Sequence, residues 1–244
     1  LTTFQDNMEA GVGSWTTQLV SGVTNWAQVT TQSHSTTHSW FSPDEAIVKD
    51  NYLITPLFQV PVNATLTFWH NFTMESTYDG CVIEIQPEGS GNWTDLGSLI
   101  TSGGYTHTIS TGWSNPLAGR PAWSGSSGGW QQPSVNLAGY AGQNVQIRFR
   151  IGCDSMVSST GWYVDDVRVS GFEYQCDAVI ATGDVDESGT VDLVDLAIIQ
   201  NTLVGKILEG QAPCTDPAAG DFDGCGHLSA ADTLTLAHML AGNQ

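Results

Sequence analysis

The sequence predicts a mainly β protein in which an antiparallel β-sandwich, over residues 1–172, precedes a short linker and a small α-helical module over residues 183–244. Two observations predict the sandwich: apolar and polar residues alternate in several short stretches, and no long helical pattern competes with them. A third observation, an acidic pattern that occurs twice near the C-terminus, predicts the second module. Residues 173–182 are the predicted linker.

The alternation is clearest in two stretches that have the period of long strands. Clusters of Gly, Pro, Asn and Ser separate these and the shorter strands, which favours a sandwich or jelly roll. One predicted apolar face comprises Ala64, Leu66, Phe68, His70 and Phe72, and the other Val145, Ile147, Phe149 and Ile151, opposite Gln146, Arg148 and Arg150.

Six short motifs of the sandwich occur in the order seen in MAM-like jelly rolls. They are FQDNMEAGVGSW from Phe4, NYLITP from Asn51, LTFWHNF from Leu66, DGCVIEI from Asp79, VQIRFRIG from Val145 and GWYVDDVRV from Gly161. The domain resembles these jelly rolls, and more closely the sandwiches that follow the catalytic domains of secreted bacterial metallopeptidases. The resemblance implies an accessory domain of a larger secreted protein.

The last of these motifs contains a predicted buried acid. Alternation places Tyr163, Asp165 and Val167 on the apolar face, where an unpaired carboxylate is costly. In the families that the domain resembles, this aspartate and a glutamate of the first strand, here Glu9, share a structural calcium. The resemblance therefore implies one calcium ion in the sandwich, and the alternative is that Asp165 accepts backbone N–H bonds without metal. Weaker ligand candidates are Asp6, Asp79 and Asp166.

A loop rich in Gly, Pro and Ser, from Trp113 to Trp130, is a candidate ligand surface. Its aromatic side chains could stack on sugar rings or bind a peptide, or they could seal the sandwich. Because the related sandwiches carry a similar stretch as an ordered flap, the packing role is favoured. The candidate residues are Trp113, Arg120, Trp123 and Trp130.

Catalytic patterns are weak throughout, so the chain is predicted not to be an enzyme. The segment from Gly125 to Gly129 fits G-x-S-x-G, but it lacks the preceding strand and following helix of a nucleophile elbow. Glu84 is predicted to face outward from its strand as a lone surface carboxylate.

The C-terminal repeat has the spacing of a calcium loop. Oxygen groups at loop positions 1, 3, 5, 9 and 12, a backbone carbonyl at position 7 and a glycine at position 6 can surround one hard cation. The predicted ligands of loop one are Asp184, Asp186, Ser188, Thr190, Asp192 and Asp195. Those of loop two are Asp221, Asp223, His227, Ser229 and Asp232, with Cys225 at position 5. Because a thiol is a poor calcium ligand, loop one is predicted to be the tighter of two calcium sites.

An aspartate at position 12 and a single helix after each loop make the module resemble the type I dockerin, over about residues 183–242. In the first copy Leu193, Leu196, Ile199 and Leu203 form one helical face. The resemblance implies a cohesin partner on a scaffold or cell-surface protein, bound by an exposed helix face beside each loop. The family often has a Ser-Thr pair at positions 10 and 11, but this chain has Leu193-Val194 and Ala230-Ala231. An apolar, asymmetric contact is therefore expected.

The composition argues against several classes of partner and indicates the compartment in which the protein acts. A formal charge of −19, with six Lys and Arg residues, argues against nucleic acid and anionic membranes. No run of about 18 apolar residues predicts membrane insertion. Five cysteines without zinc spacing indicate disulfides in an oxidising compartment, so the protein is expected to be secreted, or attached to a cell surface. No signal peptide opens the chain, which places Leu1 inside a larger protein.

The face of the strand on which each cysteine lies suggests how the cysteines pair. Cys81 and Cys153 share the inward faces of their strands near the strand ends, which predicts a bridge between them. Cys214 and Cys225 are predicted to pair within the second module, leaving Cys176 unpaired; the rival pairing joins Cys176 to Cys214.

The sequence as a whole favours a non-catalytic C-terminal fragment of a secreted multidomain protein, attached through a cohesin. The alternative is a carbohydrate-binding module on which the calcium-loop module packs as a stabiliser. An upstream catalytic domain is expected in either case.

Overall fold

The computed structural model describes residues 2–172, together with Leu193, Leu196 and Ala197, which are helical. The chain divides into two compact units, Leu1–Glu173 and Tyr174–Gln244. Within the described residues, no helix has the length and apolar character needed to cross a membrane.

The first unit is built from antiparallel strands in two large sheets and one small one, as the sequence predicts for a mainly β sandwich. The strands are β1 Thr2–Asp6, β2 Thr16–Ser21, β3 Ala27–Val29, β4 Ser39–Pro43, β5 Lys49–Ile54, β6 Phe58–Gln59, β7 Val62–Thr73, β8 Gly80–Pro87, β9 Thr94–Asp95, β10 Ile100–Ser102, β11 His107–Thr108, β12 Pro121–Ala122, β13 Ser134–Asn136, β14 Asn144–Cys153 and β15 Gly161–Phe172. A seven-stranded sheet has the order β10-β13-β7-β15-β4-β3, with β1 also paired to β15. A six-stranded sheet has the order β2-β5-β14-β8-β9, with β6 also paired to β14, and β11 pairs with β12 alone. Two 3-10 turns, Gly97–Leu99 and Ala138–Tyr140, lie between strands.

The core fills the space between the two large sheets. Both apolar faces predicted from alternation are confirmed, since their residues on β7 and β14 are all buried. His70 lies inside this core against the rings of Phe68, Phe72 and Trp123, and its Nδ1 accepts a hydrogen bond from Trp162 Nε1 at 3.3 Å. Burial lowers the pKa of His70 to about 3, so the side chain is a neutral core residue.

β15 departs from the predicted alternation. Its pairing with β7 shifts register between Asp165 and Arg168, and Asp166 has a φ of 47°. Because a bulge inserts one extra residue, it reverses which side chains face the core on either side of it. Trp162 and Val164 therefore lie in the core before the bulge, and Val167 and Val169 after it. The inward orientation predicted for Tyr163 and Asp165 is wrong: both lie on the other face of the sheet.

Glu84 also differs from its prediction as a lone surface carboxylate. It does point away from the core, but it is only 3 % exposed because three arginines cover it. Arg120 Nη2 lies 2.7 Å from Glu84 Oε1, Arg150 Nη1 lies 3.5 Å from the same atom, and Arg148 binds Glu84 Oε2. Burial raises the pKa of Glu84, but the Arg148 hydrogen bond and charge outweigh it, with Arg120 adding to the effect, and hold the pKa below its ordinary value.

The predicted bridge between Cys81 and Cys153 is wrong in this structure, where both are buried free thiols. The residue directly opposite Cys81 on β14 is Ile151, so Cys153 is its diagonal neighbour. Diagonal Cα atoms are about 7–8 Å apart, which is too far for a disulfide. The pairings predicted for Cys176, Cys214 and Cys225 lie outside the described residues.

The cluster of Arg120, Arg148 and Arg150 around Glu84 leads to a prediction about stability. Glu84→Gln should lower the free energy of unfolding by about 3 kcal/mol, because the buried Arg148 loses the carboxylate with which it pairs, whereas Arg120 and Arg150 keep Asp95 and Asp50. Asp95→Asn is the matched control, since Asp95 also binds Arg120 but its side chain is 36 % exposed; it should change stability by about 1 kcal/mol or less. Urea unfolding followed by tryptophan fluorescence measures both, and equal effects would contradict the cluster's role.

Candidate functional site

The predicted calcium loops, from Asp184 to Asp195 and from Asp221 to Asp232, lie outside the described residues. The exception is Leu193, at position 10 of loop one, which is helical and 72 % exposed. The loops supply carboxylate, hydroxyl and carbonyl oxygens at calcium-loop spacing, so their chemistry fits a hard cation.

In the sandwich, Glu9 and Asp165 bind the same surface loop at two neighbouring points. Asp165 Oδ2 accepts the backbone N–H groups of His34 and Ser35 at 2.8 and 3.0 Å. Glu9 Oε1 accepts those of Thr37 and His38 at 2.9 and 2.8 Å. The chain between β3 and β4 is thus fixed over the bulge of β15.

The other oxygen of each carboxylate is also hydrogen-bonded. Glu9 Oε2 accepts from the Thr37 hydroxyl, and Asp165 Oδ1 accepts from Asp166 N at 2.7 Å and from the Ser35 hydroxyl at 3.4 Å. The Thr37 hydroxyl, followed by the backbone N–H groups, lowers the pKa of Glu9 to about 2. Burial raises the pKa of Asp165, opposed by the N–H groups of Ser35 and His34. Both acids are therefore satisfied by this chain, and the calcium predicted for them stays a prediction.

The candidate ligand surface of the Trp113–Trp130 loop does not form one surface. Trp123 is 1 % exposed and packs in the core against Tyr105 and His70, so its predicted packing role is confirmed. Arg120 binds Glu84 and Asp95, so its guanidinium group belongs to an ion-pair cluster, and its predicted role in ligand binding stays a prediction. Trp113 is 49 % exposed and contacts Tyr78 edge-on.

Trp130 instead joins four other rings on the outer face of the seven-stranded sheet. His34 stacks on Trp69 with ring centroids 3.8 Å apart, and Trp130 contacts both His34 and Tyr163, at 5.9 and 6.4 Å. Phe41 stacks on Tyr163 at 4.3 Å. We call these five rings, Phe41, His34, Trp69, Trp130 and Tyr163, the aromatic surface. Trp69 and Trp130 are half-buried, so part of each ring remains accessible.

Sequence reasoning missed most of the aromatic surface. Trp69 alternates with Phe68 and His70 on β7, so its outward direction was readable from the strand period. The position of Tyr163 depends on the bulge, and that of His34 depends on a loop held by Glu9 and Asp165. Neither has a local sequence pattern that identifies it.

Comparison with known proteins separates a C-terminal module from the rest of the chain, close to the boundary that the sequence predicts. The family model of the dockerin type I domain matches residues 182–241. Bacillopeptidase F of Bacillus subtilis is 26% identical over 122 residues, covering 48% of this chain and 7% of that protein. Hemagglutinin A of Porphyromonas gingivalis is 28% identical over 164 residues, covering 60% of this chain and 7% of that protein. The chain thus spans 7% of the length of these curated relatives.

Two solved structures are similar to the sandwich. The K1 cleaved adhesin domain of Lys-gingipain from Porphyromonas gingivalis W83 aligns with a TM-score of 0.49 and 19% identity, over 71% of this chain and 100% of that one. TmCBM61 in complex with beta-1,4-galactotriose aligns with a TM-score of 0.42 and 13% identity, over 68% and 94%.

The loop between β3 and β4, which Glu9 and Asp165 bind, leads to the second prediction. Asp165→Asn should lower the free energy of unfolding by about 2 kcal/mol in EGTA, because an amide cannot accept all the N–H groups that the carboxylate binds. Asp166→Asn is the control: it keeps an acceptor for His34 Nδ1, 2.6 Å away, and Asn tolerates a positive φ. Urea unfolding and hydrogen exchange of the His34 and Ser35 amides measure the effect. A larger loss in calcium than in EGTA would identify the ion predicted for Glu9 and Asp165, and no loss in either would contradict the anchoring role.

Proposed function

We propose that this chain is a non-catalytic attachment region of a secreted multidomain protein. Residues 183–244 act as a calcium-dependent dockerin that binds a cohesin domain of a scaffold or cell-surface protein. The MAM-like sandwich is an accessory domain that supports or targets an enzyme encoded upstream. The observation that carries the proposal is the match of residues 182–241 to the type I dockerin model, which covers both predicted calcium loops.

Calcium binding underlies this attachment. The proposed ligand sets are those of the two loops, and type I dockerins as a family bind calcium. Because a small module with few apolar residues and many carboxylates repels itself without cations, ion binding supplies much of its folding free energy. The duplicated loops are not equivalent, since Cys225 occupies a ligand position in the second.

The proposed partner surface lies at the helix starts beside the loops, at Leu193, Val194, Ala230 and Ala231. Leu193 is helical and 72 % exposed, so its side chain is accessible for an apolar contact with a partner. The two copies present different side chains, so a single orientation on the cohesin is expected. The relatives support a secreted or cell-surface setting: one is a Bacillus peptidase and the other a hemagglutinin.

A binding measurement against a panel of recombinant type I cohesin domains tests this function. Calorimetry on the whole chain should detect binding in millimolar calcium and none in EGTA, with a parallel loss of helical circular dichroism. Asp184→Ala should weaken binding at least tenfold, because it removes a ligand of loop one, and Leu193→Asp should do so without changing calcium uptake. Ala230→Asp is the matched change in loop two, where a smaller effect is expected. Binding that persists in EGTA, or unchanged binding by Leu193→Asp, would contradict the proposal.

A second candidate function is carbohydrate or peptide binding by the sandwich. The aromatic surface favours it, because Trp69 and Trp130 present partly accessible rings on one sheet face, and such rings stack on sugars. The amides of Gln32 and Asn71, hydrogen-bonded to each other at 2.9 Å, lie beside Tyr163 and Thr31 on this face and could bind hydroxyl groups.

Pull-down on insoluble polysaccharides tests this second function. If the sandwich binds glycans, Trp69→Ala and Trp130→Ala should each reduce the bound fraction at least fivefold, because each removes one stacking ring. Trp113→Ala is the control, being exposed but in contact with Tyr78 and not with these rings, and should bind as the wild type does. A wild-type chain that binds none of the polysaccharides, or three variants with equal losses, would exclude the aromatic surface as a glycan site.

A further inference from the structure

Four acidic side chains converge at one end of the sandwich. Asp44 follows β4, Glu75 and Asp79 lie in the connection between β7 and β8, and Asp154 follows β14. We call Asp44, Glu75, Asp79 and Asp154 the acidic quartet. Its members come from both large sheets, since β4 and β7 belong to one, and β8 and β14 to the other.

The carboxylates of the quartet are close together and largely inaccessible. Oxygens of Glu75, Asp79 and Asp154 lie within 4.8 Å of one another, and so do ligand atoms of Asp44, Asp79 and Cys153. Asp79 is 0 % exposed, Asp154 1 % and Asp44 4 %. Among residues 2–172, no salt bridge includes any of the four. The charge of Asp44 acts on Lys49, but the Lys49 ammonium group binds Glu45 Oε1 at 3.2 Å and the Pro43 carbonyl at 2.8 Å.

Two of the aspartates are held in the same way: one oxygen accepts N–H groups and the other accepts none. Asp44 Oδ2 accepts from Ser159 N at 3.0 Å and Glu75 N at 3.4 Å. Asp79 Oδ1 accepts from Asp154 N at 2.6 Å, with Asn115 Nδ2 at 3.5 Å. The backbone thereby fixes the direction of each carboxylate, as outer-shell groups do around metal ligands.

The remaining oxygens are buried without a partner. Within the described part of the chain, Asp44 Oδ1, Glu75 Oε2 and Asp79 Oδ2 have no hydrogen-bond donor. Buried polar atoms are nearly always satisfied, and a buried charge needs a counter-charge, so three such oxygens in one cluster require an explanation.

A shared proton satisfies only part of this requirement. Burial, with the negative charge of Asp44, raises the pKa of Asp79 to about 9 in the absence of metal. One proton on Asp79 can bridge one pair of oxygens, but it leaves Glu75 Oε2 without a donor and the other carboxylates without a positive charge. A cation that contacts several oxygens at once satisfies the whole cluster.

We propose that the acidic quartet binds a calcium ion, with carboxylate oxygens of Glu75, Asp79 and Asp154 as ligands and with Asp44, which lies close to Asp79, as a neighbouring negative charge. Oxygen donors without histidine select a hard cation and disfavour zinc. Calcium accepts several carboxylates in irregular geometry, whereas magnesium demands octahedral geometry and retains waters, which suits this buried site less well. The Cys153 thiol lies beside the site but is too soft to be a ligand.

The ion would join the two sheets at this end of the sandwich. It would also fix the connection between β14 and β15, because Ser159 N donates to Asp44 and Met156 N donates to Asp154 Oδ1 at 2.9 Å. Gly161, at φ +120°, starts β15 directly against this site: a Cβ there would lie 2.7 Å from Asp44 N. The site is distinct from the loops of the second unit and from Glu9 and Asp165, which hold a different loop.

The test is the number of bound calcium ions and the thermal stability of the whole chain. All nine tryptophans lie between Trp15 and Trp162, so tryptophan fluorescence reports on the sandwich unit without signal from residues 174–244. Saturating calcium should raise the wild-type melting temperature seen by this probe by roughly 5–10 °C over EGTA. Asp79→Asn should bind one calcium fewer by equilibrium dialysis and lose this shift. In EGTA the same variant should melt close to the wild-type temperature, because its neutral amide replaces a carboxyl group that is protonated at neutral pH when no metal is bound.

Four further variants make the result specific. Glu75→Gln, at the half-buried ligand, should also lose one ion, which keeps the test valid if Asp79→Asn misfolds. Glu84→Gln, on β8 and outside the quartet, should melt lower in both conditions but keep every ion. Glu9→Gln and Asp184→Ala should keep the calcium shift of the tryptophan signal. The proposal is overturned if calcium leaves the wild-type melting unchanged, or if Asp79→Asn and Glu75→Gln bind as many ions as the wild type.

Discussion

The sandwich depends on how a chain with few cationic side chains satisfies carboxylates that it buries. There are 25 Asp and Glu residues and six Lys and Arg residues, so ion pairs cannot neutralise most of the acids. Three arginines surround Glu84, and one of these, Arg150, also binds Asp50 through both of its oxygens. Asp165 is satisfied by backbone N–H groups instead. The ion pairs and the backbone hydrogen bonds each join segments that are distant in sequence. Together these contacts fix where loops cross the sheets.

Strand period predicted the parts of the fold that depend only on which face is buried. β7 and β14 follow a strict alternation, because each crosses the core with one face against the opposite sheet, and their inward residues are readable from the sequence. β15 breaks the rule at Asp165, where its neighbour on one side changes from β4 to β1. A bulge at that point depends on tertiary pairing, so no local pattern reveals it. The error at Asp165 then carried into the expected position of Tyr163.

The alternation along a strand also predicts to which face a side chain points, but it does not predict which other residues cover that side chain. Glu84 points outward as its strand period indicates, yet arginines from β14 and from the loop at Arg120 bury it. The cysteine prediction failed for a related reason: Cys81 and Cys153 share a face, but the register sets them diagonally and not opposite. Asp79 was a weak metal candidate because its companions are distant in sequence, at Asp44 and Asp154. Calcium loops are the opposite case, since all their ligands lie within one short segment and can be read without any knowledge of the fold.

Glu84 lies on β8 and Asp79 directly precedes that strand, yet arginines neutralise only Glu84. The surroundings of the two acids explain the difference. Glu84 lies mid-strand, where long side chains from neighbouring strands can lie flat over the sheet and aim guanidinium groups at it; Arg148 also rests on the rings of Tyr52 and Trp93. Asp79 lies where four chain segments meet, with the backbone N–H group of Asp154 and the Asn115 side chain occupying the space on one side. A guanidinium there would need room for a long side chain, and its planar fork serves one or two carboxylates. A single small ion with several coordination positions can serve several carboxylates at once, and the quartet presents unpartnered oxygens from three of its acids.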